Sequence, residues 1–221
     1  NVNDEKIPDL RRLPVYTFVL AGAYKIFGVN YIAATIMNCI FEALSCILIY
    51  LLAMYLFRRE KIALISALMY AVYVRGYFMS AKLITEPLYI FLLLLFMYSY
   101  VYWLKNFNVK NGLLTGFILG IITLTRPTTQ FFPFIILITI FWHKKGIKNI
   151  TTNYICFITA FALVLAPWVY RNYLVTETAN LIVSSDYGYA LWEKTQFDFN
   201  MLEHRDNKTY SKIVSELNAI N

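Results

Sequence analysis

Residues 85–105 read Thr-Glu-Pro-Leu-Tyr-Ile-Phe-Leu-Leu-Leu-Leu-Phe-Met-Tyr-Ser-Tyr-Val-Tyr-Trp-Leu-Lys, with no charge between Glu86 and Lys105. A helix crossing a hydrocarbon core of roughly 30 Å needs about 20 apolar residues, and fewer where its ends snorkel or it packs inside a bundle. Leu88 to Leu104 meets that test, and its apolar block is longer than the periodic pattern of a soluble core helix. The stretch therefore reads as a membrane span, opened by a carboxylate and proline and closed by a lysine.

The same grammar repeats on both sides. Upstream, Val29 to Phe57 is apolar apart from Asn38 and Glu42 and stops at Arg58, Arg59, Glu60 and Lys61. A shorter block, Ile62 to Val74, ends at Arg75 and leads through Gly76 and Lys82 to Thr85. Downstream, a polar connector from Lys105 to Asn111 precedes Gly112 to Thr125, rich in small residues, which closes at Arg126 and Pro127. Proline and the residue before it continue a helix poorly, so a break is expected there. Thr128 to Trp142 follows and ends at His143, Lys144, Lys145 and Lys148. The longest uncharged stretch, Asn149 to Tyr170, is expected to leave the bilayer at Pro167, Trp168, Arg171 and Asn172. The expected fold class is an all-α membrane protein, a polytopic transmembrane helix bundle of about six spans or half-spans. Its expected domains are an extracytoplasmic loop at 1–13, the bundle at 14–173, and the start of an extracytoplasmic domain at 174–221.

Composition agrees. The chain is 59% hydrophobic and 15% charged, whereas soluble domains average about 45–50% and roughly 25%; lipid is thus its main solvent. A net charge of +7 could suggest nucleic acid, but the cations are scattered between apolar blocks, as juxtamembrane anchors are. No nucleic-acid partner is expected. Cys39, Cys46 and Cys156 lie within apolar segments without zinc or disulfide spacing and read as buried small hydrophobes. The first residue is Asn and the last residues stop in a helical pattern, so both ends read as truncated.

Short cytoplasmic loops are enriched in Lys and Arg. Arg58, Arg59, Lys61, Lys105, Lys110, Lys144, Lys145 and Lys148 fall on one side, against Arg75, Lys82, Arg126 and Arg171 on the other. The first side reads as cytoplasmic. On the outer side Arg12, Lys82, Arg126 and Arg171 gather beside few acids, and guanidinium forks match phosphate oxygens in a bidentate way. Each could instead meet lipid headgroups. Glu86 fits helix-start chemistry, with Thr85 as cap and Pro87 in the first turn, or it could orient a hydroxyl, a cation or a basic partner near bound substrate. Asn38 and Glu42 share a helix face in mid-span, most simply as a polar contact between helices. No Gly-rich phosphate loop, Ser-His-Asp arrangement or metal-ligand spacing is visible, so no metal-binding residue is assigned.

Four elements together resemble the GT-C class of integral-membrane glycosyltransferases, specifically bacterial relatives of the dolichyl-phosphate-mannose-protein mannosyltransferases and the aminoarabinose transferase of lipid A. Arg12-Leu13-Pro14-Val15-Tyr16, running on to Tyr24-Lys25-Ile26-Phe27-Gly28, is similar to the family's R-T-P-G-Y-P stretch and its K-hydrophobic-F-G ending. Thr85-Glu86-Pro87 resembles a T-E-P opening, and Leu124-Thr125-Arg126-Pro127 an L-T-R-P element. Ala166-Pro167-Trp168 with Arg171-Asn172-Tyr173, then Gly188-Tyr189 with Leu191-Trp192-Glu193, resemble P-W-x-x-R-N-Y and G-Y-x-L-W-E. Val15 and Thr17 depart from the family's Gly and Pro.

The resemblance implies a polyprenyl-phosphate sugar donor, an acceptor that is a protein, lipid or glycan, and transfer on the outer face of a bacterial cytoplasmic membrane. It implies Arg12 and Arg126 at the lipid phosphate, with Lys82 and Arg171 nearby, and Glu86 near the sugar or acceptor. The resemblance implies a catalytic acid soon after the family's first span, expected to precede the stretch of sequence given by this chain. Asp4, Glu5 and Asp9 stand in the same loop, and Asp4 and Asp9 are the leading candidates for the base here. No cofactor is fixed by the resemblance, although some members employ a divalent cation. The competing readings are a membrane polysaccharide polymerase or ligase, and a transporter or lipid flippase.

Overall fold

The computed structural model describes residues 13–74, 76, 80, 82–141 and 146–176. Among them are seven α-helices and one short 3₁₀ turn, with no strand. The helices are α1 (Pro14–Phe27), α2 (Tyr31–Phe57), α3 (Glu60–Ala71), α4 (Glu86–Lys105), α5 (Val109–Thr123), α6 (Phe132–Phe141) and α7 (Ile147–Thr176), with the 3₁₀ turn at Pro127–Thr129. Three are long and apolar enough to cross a membrane, Tyr31–Phe57, Glu86–Lys105 and Ile147–Val175, and shorter apolar helices lie between them. The all-α membrane bundle expected from hydropathy is the fold observed.

Local chemistry sets the helix ends. Pro14 supplies a preset φ in the first turn of α1, and Gly28 stops that helix at φ 78°, ψ 162°, a backbone region nearly closed to side chains. The Asn30 side chain then caps α2, accepting from the Ala33 amide at 2.7 Å. At Thr85 the expected cap is absent: its side chain accepts no amide, and its carbonyl instead takes the Tyr89 N–H at 2.9 Å. Glu86 and Pro87 alone open α4.

Contacts order the bundle. Cys46 Sγ lies 3.4 Å from the Ala67 carbonyl and the Tyr70 hydroxyl 2.6 Å from Glu42, so α2 and α3 form an antiparallel hairpin. Phe41 meets Phe91 and Tyr55 meets Tyr102, so α2 and α4 run parallel. Ser99 bonds Thr115 at 2.8 Å across the antiparallel pair α4 and α5. The seam of α5 with α7 is tightest. Gly112, Gly116 and Gly120 face Asn153, Phe157 and Val164 in turn, parallel and nearly backbone to backbone. Lipid gives helices no hydrophobic reason to associate, so close approach through small residues and buried hydroxyl pairs does that work.

Phe96, Trp103, Leu119, Ile122, Ile140 and Phe157 form the sealed core, and Trp103 stacks on both Phe107 and Phe157. Outward, Phe18, Ile65, Leu68, Phe134 and Leu163 are exposed, as a lipid-facing surface requires. Pro167 lies inside α7, which continues to Thr176, so the helix runs on past the residues at which the span was expected to leave the bilayer. One expectation changes. The cysteines are not buried: Cys39 is exposed and Cys46 and Cys156 are half-buried, on faces turned to lipid or to a cavity instead of the core.

Candidate functional site

Two helix ends meet at one end of the bundle. α4 opens with Glu86, whose carboxylate suits the positive end of the helix dipole. α5 closes at Leu124, and Arg126 turns to extended backbone at φ −146°, ψ 130°, as the residue before proline favours. The turn is pinned from inside. Thr123 and Thr129 share a hydrogen bond at 3.0 Å, Thr125 Oγ1 donates to the Ile121 carbonyl, and the Arg126 amide reaches the Ile122 carbonyl at 2.8 Å.

That geometry brings Arg126 Nη2 to 3.1 Å from Glu86 Oε1, with the two side chains 39% and 31% exposed. The guanidinium also sits 5.6 Å above the Tyr89 ring, and the Tyr89 hydroxyl bonds Thr128 at 3.1 Å. The start of α1 lies against the same turn, its Val15 amide 3.4 Å from the Leu124 carbonyl. From there Tyr16 points inward, its hydroxyl buried beside the Asn38 amide and within electrostatic range of Glu86. Asn38 is fully buried and donates from Nδ2 to the Lys82 carbonyl at 2.8 Å and the Ser80 carbonyl at 3.5 Å. Neither the Tyr16 hydroxyl nor Asn38 Oδ1 reaches full hydrogen-bond geometry with any partner. The result is a half-open polar patch: one ion pair at the lip, with two underused polar atoms below it.

Of the residues singled out in the sequence, Glu86 and Arg126 are brought into direct contact. Lys82 touches this network through its carbonyl, with its side chain exposed. Arg171 lies on α7, which runs parallel to α5 and so reaches toward the Arg126 end; its guanidinium stacks 4.7 Å from the Trp168 ring and donates to Asn172 Oδ1 at 3.2 Å. Arg12, Asp4, Asp9 and Arg75 lie outside the described residues. Tyr16, Asn38 and Tyr89 join the site without having been assigned to it. Asn38 gave a signal, as a lone amide in an apolar span; Tyr89 was indistinguishable from an aromatic belt residue.

Asn38 and Glu42 do share a face. One turn beyond Asn38, Glu42 Oε2 accepts the Tyr70 hydroxyl at 2.6 Å, a polar contact between helices. Among the described residues no three His, Cys, Asp or Glu side chains gather.

At the opposite end, Lys105 Nζ donates to the Tyr55 carbonyl at 2.9 Å and caps its ring at 3.9 Å. No curated protein matches the chain, and no solved structure does. A family model, described as dolichyl-phosphate-mannose-protein mannosyltransferase, matches residues 10–170. That span includes α1 to α6, most of α7 and both partners of the ion pair, and on it the chain belongs to the dolichyl-phosphate-mannose-protein mannosyltransferase family of GT-C-type membrane glycosyltransferases.

Proposed function

We propose that the chain transfers a sugar from a polyprenyl-phosphate-linked donor to a protein, lipid or glycan acceptor on the extracytoplasmic face, with the Glu86–Arg126 end of the bundle receiving the donor headgroup. The carrying observation is the half-exposed ion pair. A pair this open contributes about 0–1 kcal/mol to stability, so folding alone gives little reason for two ionised groups at the lip of the bundle. A phosphate does give one. Arg126 commits Nη2 to Glu86, and the rest of its fork keeps donors for phosphate oxygens. Glu86 then stands beside the bound phosphosugar, where a carboxylate accepts from a sugar or acceptor hydroxyl.

The chemistry is an inverting displacement. An acidic residue takes the proton of the acceptor nucleophile as it attacks the anomeric carbon, and the bond to the phosphate oxygen breaks. The lipid phosphate leaves with a new negative charge, held by Arg126 and Arg12, with Lys82 and Arg171 adding positive potential. Asp4 and Asp9, in the proposed 1–13 outer loop, are the candidates for the base, and 174–221 begins the proposed outer domain. A positioned base contributes typically about 10²–10⁴-fold, and preorganised charge at the leaving group adds more. A transporter would hold its charges near the midplane on broken helices; helix-end charges favour the enzyme.

The test uses membranes containing the full-length protein and a radiolabelled polyprenyl-phosphate sugar. Arg126→Ala is expected to reduce incorporation by about 10²-fold. Incorporation equal to wild type overturns the reading.

A further inference from the structure

A 480 Å³ cavity opens between α2 and α3, within the roughly 300–1,000 Å³ typical of small-ligand sites. Among the described residues its wall includes Cys39, Glu42, Cys46, Tyr70 and Ser80, with apolar surface from Ala43 and Ile47. It is separate from the Glu86–Arg126 pair, and the transfer chemistry makes no use of it.

The carboxylate decides what fits. Glu42 Oε2 accepts from the Tyr70 hydroxyl at 2.6 Å. Oε1 is buried with no hydrogen-bond partner, and among the described residues no cation pairs with it. Tyr70 donates a single proton and carries no charge, so among the described residues Oε1 meets neither a donor nor a positive charge, and a carboxyl oxygen left so in an apolar setting is costly. A neutral hydroxyl would fill the geometry and leave the charge; an ammonium supplies both donor and charge. The apolar remainder of the wall, with exposed Ile47 on it, suits a hydrocarbon body.

We propose that this cavity binds an alkylammonium amphiphile, its primary ammonium donating to Glu42 Oε1 and its chain lying along the α2–α3 groove. The chemistry is shared by an aminophospholipid of the surrounding bilayer and by a free long-chain amine.

Cys39 lies on the cavity wall and is exposed, so its alkylation reports occupancy. The full-length protein is placed in phosphatidylcholine nanodiscs and treated with N-ethylmaleimide, and Cys39 labelling is followed by peptide mass. Dodecylamine is expected to slow that labelling saturably, while dodecanol and dodecyl sulfate do not. Glu42→Gln, which keeps shape and an acceptor but removes the charge, is expected to weaken dodecylamine protection about tenfold or more. Protection by phosphatidylethanolamine discs alone identifies the bilayer lipid as occupant; protection only by added dodecylamine identifies a free amine. Dodecanol protecting as well as dodecylamine overturns the proposal, as does Cys39 that is unreactive in phosphatidylcholine alone. Unaltered dodecylamine protection in a folded Glu42→Gln protein does the same. If that variant fails to fold, the headgroup series on the wild type still decides.

Discussion

Adding one methyl group at Gly116 should drive α5 and α7 apart. A Cβ there would stand 2.1 Å from the Phe157 carbonyl oxygen, 3.0 Å from its carbon and 3.2 Å from its Cα. Real Cβ contacts begin near 3.0 Å, so the two helices must separate by about 1 Å. The obstacle is backbone, which cannot turn aside as a side chain can. Overpacking of this kind costs about 1–3 kcal/mol, and a gap of up to 1 Å forfeits a quarter to a half of each dispersion contact it opens. Alanine regains at most about 1 kcal/mol of helix propensity. A net loss of about 2 kcal/mol lowers the midpoint of a domain this size by roughly 4–8 °C. Purified full-length protein, melted with a thiol-reactive fluorophore, gives the readout, because Cys156 adjoins Phe157 on α7 and is half-buried. Gly22→Ala is the control: the same chemical change, in a helix, with nothing within 4 Å. It should melt no lower than wild type. A Gly116→Ala protein that melts with wild type, with Cys156 no more reactive, would refute the glycine seam.

Three further changes test other links. Asn38→Leu leaves the Lys82 and Ser80 carbonyls without their donor and should cost about 1–3 kcal/mol, read as a lower melting midpoint. Gly28→Ala forces a side chain into a nearly glycine-only backbone region and should cost about 1–3 kcal/mol in the same melt. A double-mutant cycle of Glu86→Gln and Arg126→Gln should show stability coupling of only about 0.2–1 kcal/mol, while either change alone sharply reduces sugar transfer; strong coupling in stability with intact transfer would make the pair structural.

The bundle was legible because its pattern is a solvent preference, carried by every residue of a span. Leu88–Leu104 and Val29–Phe57 lie within one or two residues of α4 and α2. The Arg126–Pro127 break was readable because proline acts on its neighbours locally. Pro167 makes no such break: α7 carries it inside the helix and continues to Thr176. Thr85 had the right chemistry for a cap, yet its backbone lies in the helical region at φ −80°, ψ −11°, where the capping reach is lost. The charges of the site could be read as charges at helix ends, but the contact of residue 86 with residue 126 could not. It depends on the α4–α5 register, set in part by the Ser99–Thr115 bond and the packing of Trp103 beside Gly112.

Asn38 adds a polar link to the apolar packing at that end of the bundle, where Leu88, Ile122 and Leu124 are buried. Its amide ties α2 to the Ser80 and Lys82 carbonyls just before α4 begins, so the position of Glu86 depends on a residue far earlier in the chain. Ser80 also lines the Glu42 cavity, and Glu42 follows Asn38 by one turn of the same helix. The two polar places on α2 therefore share a wall. Ordering the 80–82 carbonyls would steady both, and loosening them would disturb both, which makes sugar transfer by Glu42→Gln worth measuring alongside its ligand binding. A shared wall requires that a change at one place be felt at the other; transfer untouched by a substitution that empties the cavity would show that Asn38 isolates the two.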